Sequence, residues 1–193
     1  MGRVSQAQAA QNRERIVDTA ARLFRERGMA GVSVADVMAE AGLTHGGFYK
    51  HFASKDALVA EAVTLAFAQQ AARVGGAGPT DGSPSAPARE SAATGRQALV
   101  GAYLSAAHRD DPGNGCPTAG FGGDVARATG GDGTRAAYAN GVEGFARLLS
   151  GDDDPDLLTL STMVGALILS RATAGTDLSD RILAAARTAL LDS

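Results

Sequence analysis

Along the first third of the chain, apolar side chains recur at the three- and four-residue spacing of helices that bury one face. Ile16, Val17, Ala20, Leu23 and Phe24 share a face of a helix predicted over residues 11–27, and Gly28 stands where a left-handed C-terminal cap is wanted. Ser33 is placed to cap a second helix through Val34, Val37, Met38 and Ala41. Asp36, three residues on, makes an imperfect capping box with Asp in place of Glu. Gly42 permits a sharp turn, Leu43 is expected to bury between the helices, and a short third helix is predicted over residues 44–51. Ser54 can cap a fourth helix carrying Leu58, Ala62, Leu65 and Phe67, which should fade near Val74.

Residues 75–95 hold three of the six prolines and five glycines, a composition that cannot bury a core and predicts a flexible connection. Helical patterns return over residues 96–109, 117–128, 134–149, 156–174 and 178–191. Pro112, Gly113 and Gly115 break the first two apart. Glycine-rich residues 130–133 and the acidic stretch 152–155 separate the next. The predicted fold is all-α, with a helix-turn-helix head over residues 1–56 and a helical body over residues 57–193.

Composition agrees. With 193 residues, 45% of them apolar, the chain can bury a real core, and since Trp is absent and aromatics are 5%, Leu, Val and Ala must do the packing. The net charge of −3 looks wrong for a nucleic-acid binder until it is divided: residues 1–56 carry +2 and the remainder −5. A single cysteine, Cys116, excludes an internal disulfide and an all-cysteine metal site. The polar N-terminus has no apolar segment of a signal peptide, and the longest apolar run, residues 164–169, is far too short for a membrane span; a cytoplasmic protein with no membrane partner is expected.

The segment VSVADVMAEAGLTHGGFYKHFASK, residues 32–55, holds the most chemistry. A recognition helix packs one face on its scaffold, grips phosphates at its ends and offers side chains to base edges. Phe48 and Phe52, four apart, supply the packing face; Tyr49, Lys50, His51 and Lys55 can hydrogen-bond phosphate oxygens. Thr44 and His45 lie at the end that approaches base edges, and Gly46 and Gly47 permit close backbone approach. The same aromatic cluster could instead be an ordinary core. An enzyme or metal protein is the competing class. The chain has only His45, His51 and His108, lacks HExxH, GxSxG and phosphate-cradling loops, and carries in Asp152, Asp153 and Asp154 a run without the spacing of a calcium loop. No cofactor or metal is expected.

GLTHGGFYKHFASKDAL, preceded by RIVDTAARLFRERGMAGVSVADVMAEA, resembles the N-terminal domain of the TetR/AcrR family of transcriptional repressors over about residues 12–65. The resemblance implies that Tyr49, His51 and Lys55 hold phosphates, that Thr44, His45 and Lys50 face the groove, and that the Ser33 hydroxyl or amide meets phosphate. Gly46 and Gly47 fall where relatives often carry larger base-contacting residues, implying fewer direct contacts there. Arg3, Arg13 and Arg15 would be arm contacts or solvated charge. It also implies a homodimer paired through the two C-terminal helices on near-palindromic double-stranded operator DNA. Leu157, Leu160, Val164, Leu167 and Ile168 would line one of these helices, and Leu178, Ile182, Ala186 and Leu190 the other. A small-molecule effector would bind among Tyr103, His108, Cys116, Phe121, Tyr138, Phe145 and Met163, each of which could equally be plain core.

Residues 103–124, YLSAAHRDDPGNGCPTAGFGGD, resemble a stretch found in one branch of that family, with Gly120 and Phe121 where Ala and Leu are usual. Cys116 would then stand at a helix N-cap with Pro117 at the first helical position, where the helix dipole favours thiolate. His108 and Arg109 could assist by folding back over the loop. The alternative function is therefore a repressor that senses electrophiles or oxidants through Cys116; the plainer reading is a small buried side chain.

Overall fold

The computed structural model describes residues 6–75, 88–127, 129–150 and 154–192, and the regular elements among them are all helical. In chain order they are α1 (Gln6–Arg27), α2 (Val34–Glu40), a 3₁₀ segment (His45–Lys50), α3 (Lys55–Gly75), α4 (Ala88–Tyr103), α5 (Ala106–Asp110), α6 (Pro117–Ala126), α7 (Gly131–Ser150), α8 (Leu157–Ala172) and α9 (Asp177–Leu191). By packing the chain divides into two compact units: Met1–Ala68 with Cys116–Gly141, and Gln69–Gly115 with Val142–Ser193. The helix-turn-helix head thus shares its unit with α6 and the first part of α7, a grouping different from a single cut after residue 56.

In the first unit, Ile16, Leu23, Phe24, Met29, Val37, Met38, Phe48 and Leu58 are all but fully buried. Each such side chain contributes about 1.5–3 kcal/mol relative to exposure. Gly28 ends α1 at φ +76° with its amide donating to the Phe24 carbonyl at 3.0 Å, and Gly42 turns the chain at φ +67°. The capping box of α2 is complete: the Ser33 hydroxyl accepts from the Asp36 amide at 3.1 Å, while the Asp36 carboxylate accepts from the Ser33 amide at 2.8 Å. Leu43 is only half-buried. Gly120 lets α6 lie against α1, since a Cβ there would stand 3.0 Å from Cγ of Arg25. Gly141 similarly leaves room on α7 for the Phe67 ring of α3.

The second unit is organised by α8 and α9, which pack along one another. Ser170 and Ser179, both fully buried, allow the close approach, and the Ser179 hydroxyl donates to the Ser170 carbonyl at 2.7 Å. Asp156 caps α8 by accepting from the Thr159 amide at 2.9 Å and also holds Arg96 of α4 at 3.1 Å.

Several expectations need correction. The third helix is a 3₁₀ segment, His45–Lys50, in which Gly46 and Gly47 lower the preference for an α-helix. The pattern over 96–109 is two helices: Ser105 interrupts it, its hydroxyl donating to the Ala102 carbonyl and accepting the His108 amide to start α5. Helix α4 begins at Ala88, inside the stretch read as a flexible connection, directly after the last of its prolines; residues 76–87 lie outside the described residues, as do 151–153 of the acidic run. Helix α7 starts at Gly131, three residues before the expected Thr134.

Candidate nucleic-acid interface

The 3₁₀ segment is anchored from behind by Phe48, fully buried, whose ring stacks on that of buried Phe52 at 5.5 Å. With that face fixed, the outer face presents Thr44, His45, Gly46, Tyr49 and Lys50, all exposed, while Gly47 and His51 are half-buried. Tyr49 is 69% exposed with its ring edge-on to Phe48 at 5.2 Å, which directs the phenol outward. Thr44 is the N-cap but makes no side-chain capping bond, which leaves its hydroxyl for another partner.

Two predicted phosphate contacts are modified by their surroundings. Lys55 is half-buried at the first turn of α3, and its ammonium donates to the Met29 carbonyl at 2.7 Å. An ammonium has three donors, so the bond orients Lys55 and leaves capacity for an anion. Both donors of Ser33 already go to Asp36, the amide at 2.8 Å and the hydroxyl at 2.6 Å. Those bonds hold the Asp36 carboxyl below its ordinary range, the Ser33 side chain being the main cause. Ser33 is therefore a cap first, and a phosphate there would have to displace a carboxylate.

The packing role of Arg13, expected to be an arm contact or solvated charge, and the whole of Asp124 were not foreseen from the sequence. Arg13 is no loose arm charge: its guanidinium lies 4.7 Å over the Phe52 ring and pairs with Glu61 of α3. Asp124 of α6, buried, accepts the Met29 amide at 2.8 Å. Neither belongs to a local pattern, so no spacing along the chain could have announced them.

The predicted effector residues fall into one group in each unit. In the second unit Tyr103 lies edge-on to His108 at 4.5 Å and tilted against Phe145 at 6.1 Å; Met163 is fully buried there. Burial above all lowers the His108 pKa, with Arg171 and Arg73 acting the same way and the Tyr103 carbonyl and Asp111 opposing them. In the first unit Phe121 is fully buried and Tyr138 donates to the Thr118 carbonyl at 2.8 Å. Burial, and next the neighbouring Cys116, push the Tyr138 phenol up to about 12.

Cys116 is the N-cap of α6 with Pro117 following, and is buried at 2% exposure. The expected helpers are engaged elsewhere. The Arg109 guanidinium reaches Ser179 at 2.9 Å and Asp180 at 2.6 Å on α9, and His108 Nδ1 faces the Tyr103 carbonyl at 2.8 Å. Arg171 of α8 completes a clamp by donating to the carbonyls of His108 and Arg109, each at 3.0 Å. The HRD triplet at 108–110 is thus a structural tie between α5 and the α8–α9 pair. Among the described residues no three His, Cys, Asp or Glu gather to hold a metal ion, and no helix is long and apolar enough to cross a membrane.

A capped second helix, a glycine turn and a braced 3₁₀ segment form a helix-turn-helix, followed by a helical body. Residues 16–62 match the family model described as bacterial regulatory proteins, tetR family. An HTH-type transcriptional regulator of Bacillus subtilis, YerO, is 40% identical over 52 residues, which is 27% of this chain and 18% of that protein. The HTH-type transcriptional repressor KstR2 of Rhodococcus jostii is 43% identical over 49 residues, 25% of this chain and 24% of its own. The matched segments thus span about a quarter or less of these relatives. A TetR transcriptional regulator of known structure from Chloroflexus aurantiacus superposes with a TM-score of 0.72 over 97% of this chain and 96% of its own; at 24% identity that likeness concerns the fold. Over residues 16–62 the chain is similar to the tetR family of bacterial regulatory proteins, and its fold is that of a TetR transcriptional regulator of known structure.

Proposed function

We propose that the protein is a sequence-specific DNA-binding repressor that acts as a homodimer and is released from its operator by a small molecule. The carrying observation is the outward set Thr44, His45, Tyr49 and Lys50 on a segment whose Phe48 and Phe52 are locked inside. Tyr49, His51 and Lys55 would grip phosphates, Thr44, His45 and Lys50 would meet base edges, and Gly46 and Gly47 would let the backbone come close. Ser33 would contribute through its cap. KstR2, 43% identical over 49 residues, is described as a repressor. Such a regulator would work in the cytoplasm, beside its DNA.

Pairing is supported by the second unit. Leu157, Leu158, Ile168 and Leu169 of α8 and Leu178 of α9 are 44–78% exposed, apolar surface that a partner helix pair would cover. Leu160 and Leu167, expected on that face, are buried within the subunit instead, and Val164 is half-buried. A second copy laid on this surface would set two reading segments about 34–36 Å apart, one turn of DNA, or a multiple of it. The effector would lie among Tyr103, His108 and Phe145, and it must prefer the conformation that does not fit the operator.

The test is fluorescence anisotropy with a duplex selected from a random library, competed by its scrambled counterpart over a salt series. Preference for the selected duplex, weakening with salt, supports the proposal; equal binding to both contradicts it. The thiol-sensing alternative rests on one observation, Cys116 at the start of the helix that carries Asp124 to the head. Unchanged release by a thiol-reactive electrophile after Cys116→Ser would dispose of it.

A further inference from the structure

Met29 sits in the turn between α1 and α2, fully buried, with both polar groups of its backbone taken by charged side chains. The amide donates to the Asp124 carboxylate at 2.8 Å, and the carbonyl accepts from the Lys55 ammonium at 2.7 Å. Asp124 comes from α6, 95 residues further along the chain, yet belongs to the same compact unit as the head. We infer that Asp124 is a positioning residue for DNA binding, setting the grip of Lys55 on the phosphate backbone through the Met29 peptide. The inference rests on the proposed DNA-binding function.

Two features argue that the carboxylate is there for this purpose. Asp124 lies in the last turn of α6, where the helix dipole opposes a negative charge, so it is not chosen for the stability of its own helix. Its side chain is 8% exposed, and Arg127, which pairs with it at 3.5 Å, is 74% exposed and so only weakly coupled. The carboxylate fixes the peptide unit before Met29 by its amide and the ammonium holds the unit after it by its carbonyl, so the two bonds together set the backbone on either side of the Met29 Cα. Loss of the acceptor frees the turn, and Lys55 loses the fixed carbonyl that aims it.

The experiment measures the salt dependence of binding to the selected duplex for the wild type, Asp124→Ala, Asp124→Asn, Lys55→Ala and the Asp124→Ala/Lys55→Ala pair. Removing one phosphate contact lowers the slope of log affinity against log salt by about 0.9 per protomer. Asp124→Ala is expected to lower the slope as Lys55→Ala does, and the pair to bind no more weakly than Lys55→Ala alone. Asp124→Asn keeps an oxygen acceptor for the Met29 amide and should keep the wild-type slope. A role in folding alone would cut affinity without touching the slope, and its loss would multiply with that of Lys55→Ala; either result overturns the inference. Asp124→Leu, of similar shape but without an acceptor, replaces the alanine variant should that one unfold. A wild type with no salt-dependent preference fails the DNA-binding proposal itself, whereas a normal wild type with an unaltered Asp124→Ala slope fails only the link.

Discussion

Replacing Tyr49 by Phe isolates one atom of the proposed interface. The ring would remain edge-on to Phe48, 5.2 Å away, and the site is 69% exposed, so folding stability should change by less than about 0.5 kcal/mol. What disappears is a hydroxyl able to donate to a phosphate. A hydrogen bond to a charged group is worth about 1.5–3 kcal/mol, and solvent competition at so open a site reduces that to about 1 kcal/mol. With one such bond in each half of a dimer, the loss is about 2 kcal/mol, or about 30-fold in affinity. The removed group is neutral and displaces no counterion, so the salt slope should stay at the wild-type value. Anisotropy titrations on the selected duplex measure both quantities, and thermal unfolding by circular dichroism supplies the control. Wild-type affinity in Tyr49→Phe would refute the assignment of this phenol to the backbone grip.

Three further outcomes follow from the packing. His108 has a lowered pKa, so the unfolded chain binds more protons near pH 6; its contribution to stability is intact above about 6.5 and is lost as pH falls toward the folded value. Melting temperatures measured across that range should fall less steeply for His108→Asn, and parallel curves would contradict the burial of a neutral imidazole. Gly141→Ala would drive a methyl into the Phe67 ring; overpacking outweighs the gain in helix propensity, giving a net loss of about 1–2 kcal/mol in urea unfolding, whereas a stabilised variant would show that α3 and α7 are further apart. Leu158→Glu with Leu169→Glu places charges on positions 78% and 56% exposed, and should yield a folded monomer by analytical ultracentrifugation; an unchanged dimer would move the pairing surface elsewhere.

Much of the head was legible in the sequence because its signals are local. Ile16, Val17, Ala20, Leu23 and Phe24 obey the helical period and are all buried, and Gly28, Ser33, Asp36 and Gly42 each do what their cap or turn chemistry demands. The 3₁₀ geometry of the reading segment was hidden because its two glycines and six residues leave the choice of helix type to tertiary packing. The outward placement of Tyr49 and Lys50 followed from the four-residue spacing of Phe48 and Phe52. The support behind that segment did not: Arg13 meets Glu61 across 48 residues, and Asp124 meets Met29 across 95. The HRD triplet was legible as a motif but not as a clamp, since its partner Asp180 lies 71 residues from Arg109. On α8 the apolar period was plain, yet which leucines face inward depends on α9, and Leu160 and Leu167 turned away from the expected outer row.

The central claim is that the outer side of residues 44–50 reads double-stranded DNA. Hydroxyl-radical footprinting of the purified protein on a duplex it has itself selected tests this most directly. Two symmetry-related protected patches, centred one helical turn apart or a multiple of it, are predicted for the wild type, and should vanish when Tyr49 and Lys50 are both replaced by Ala in a protein that remains folded. Uniform protection, or a footprint that survives that double replacement, would contradict the account.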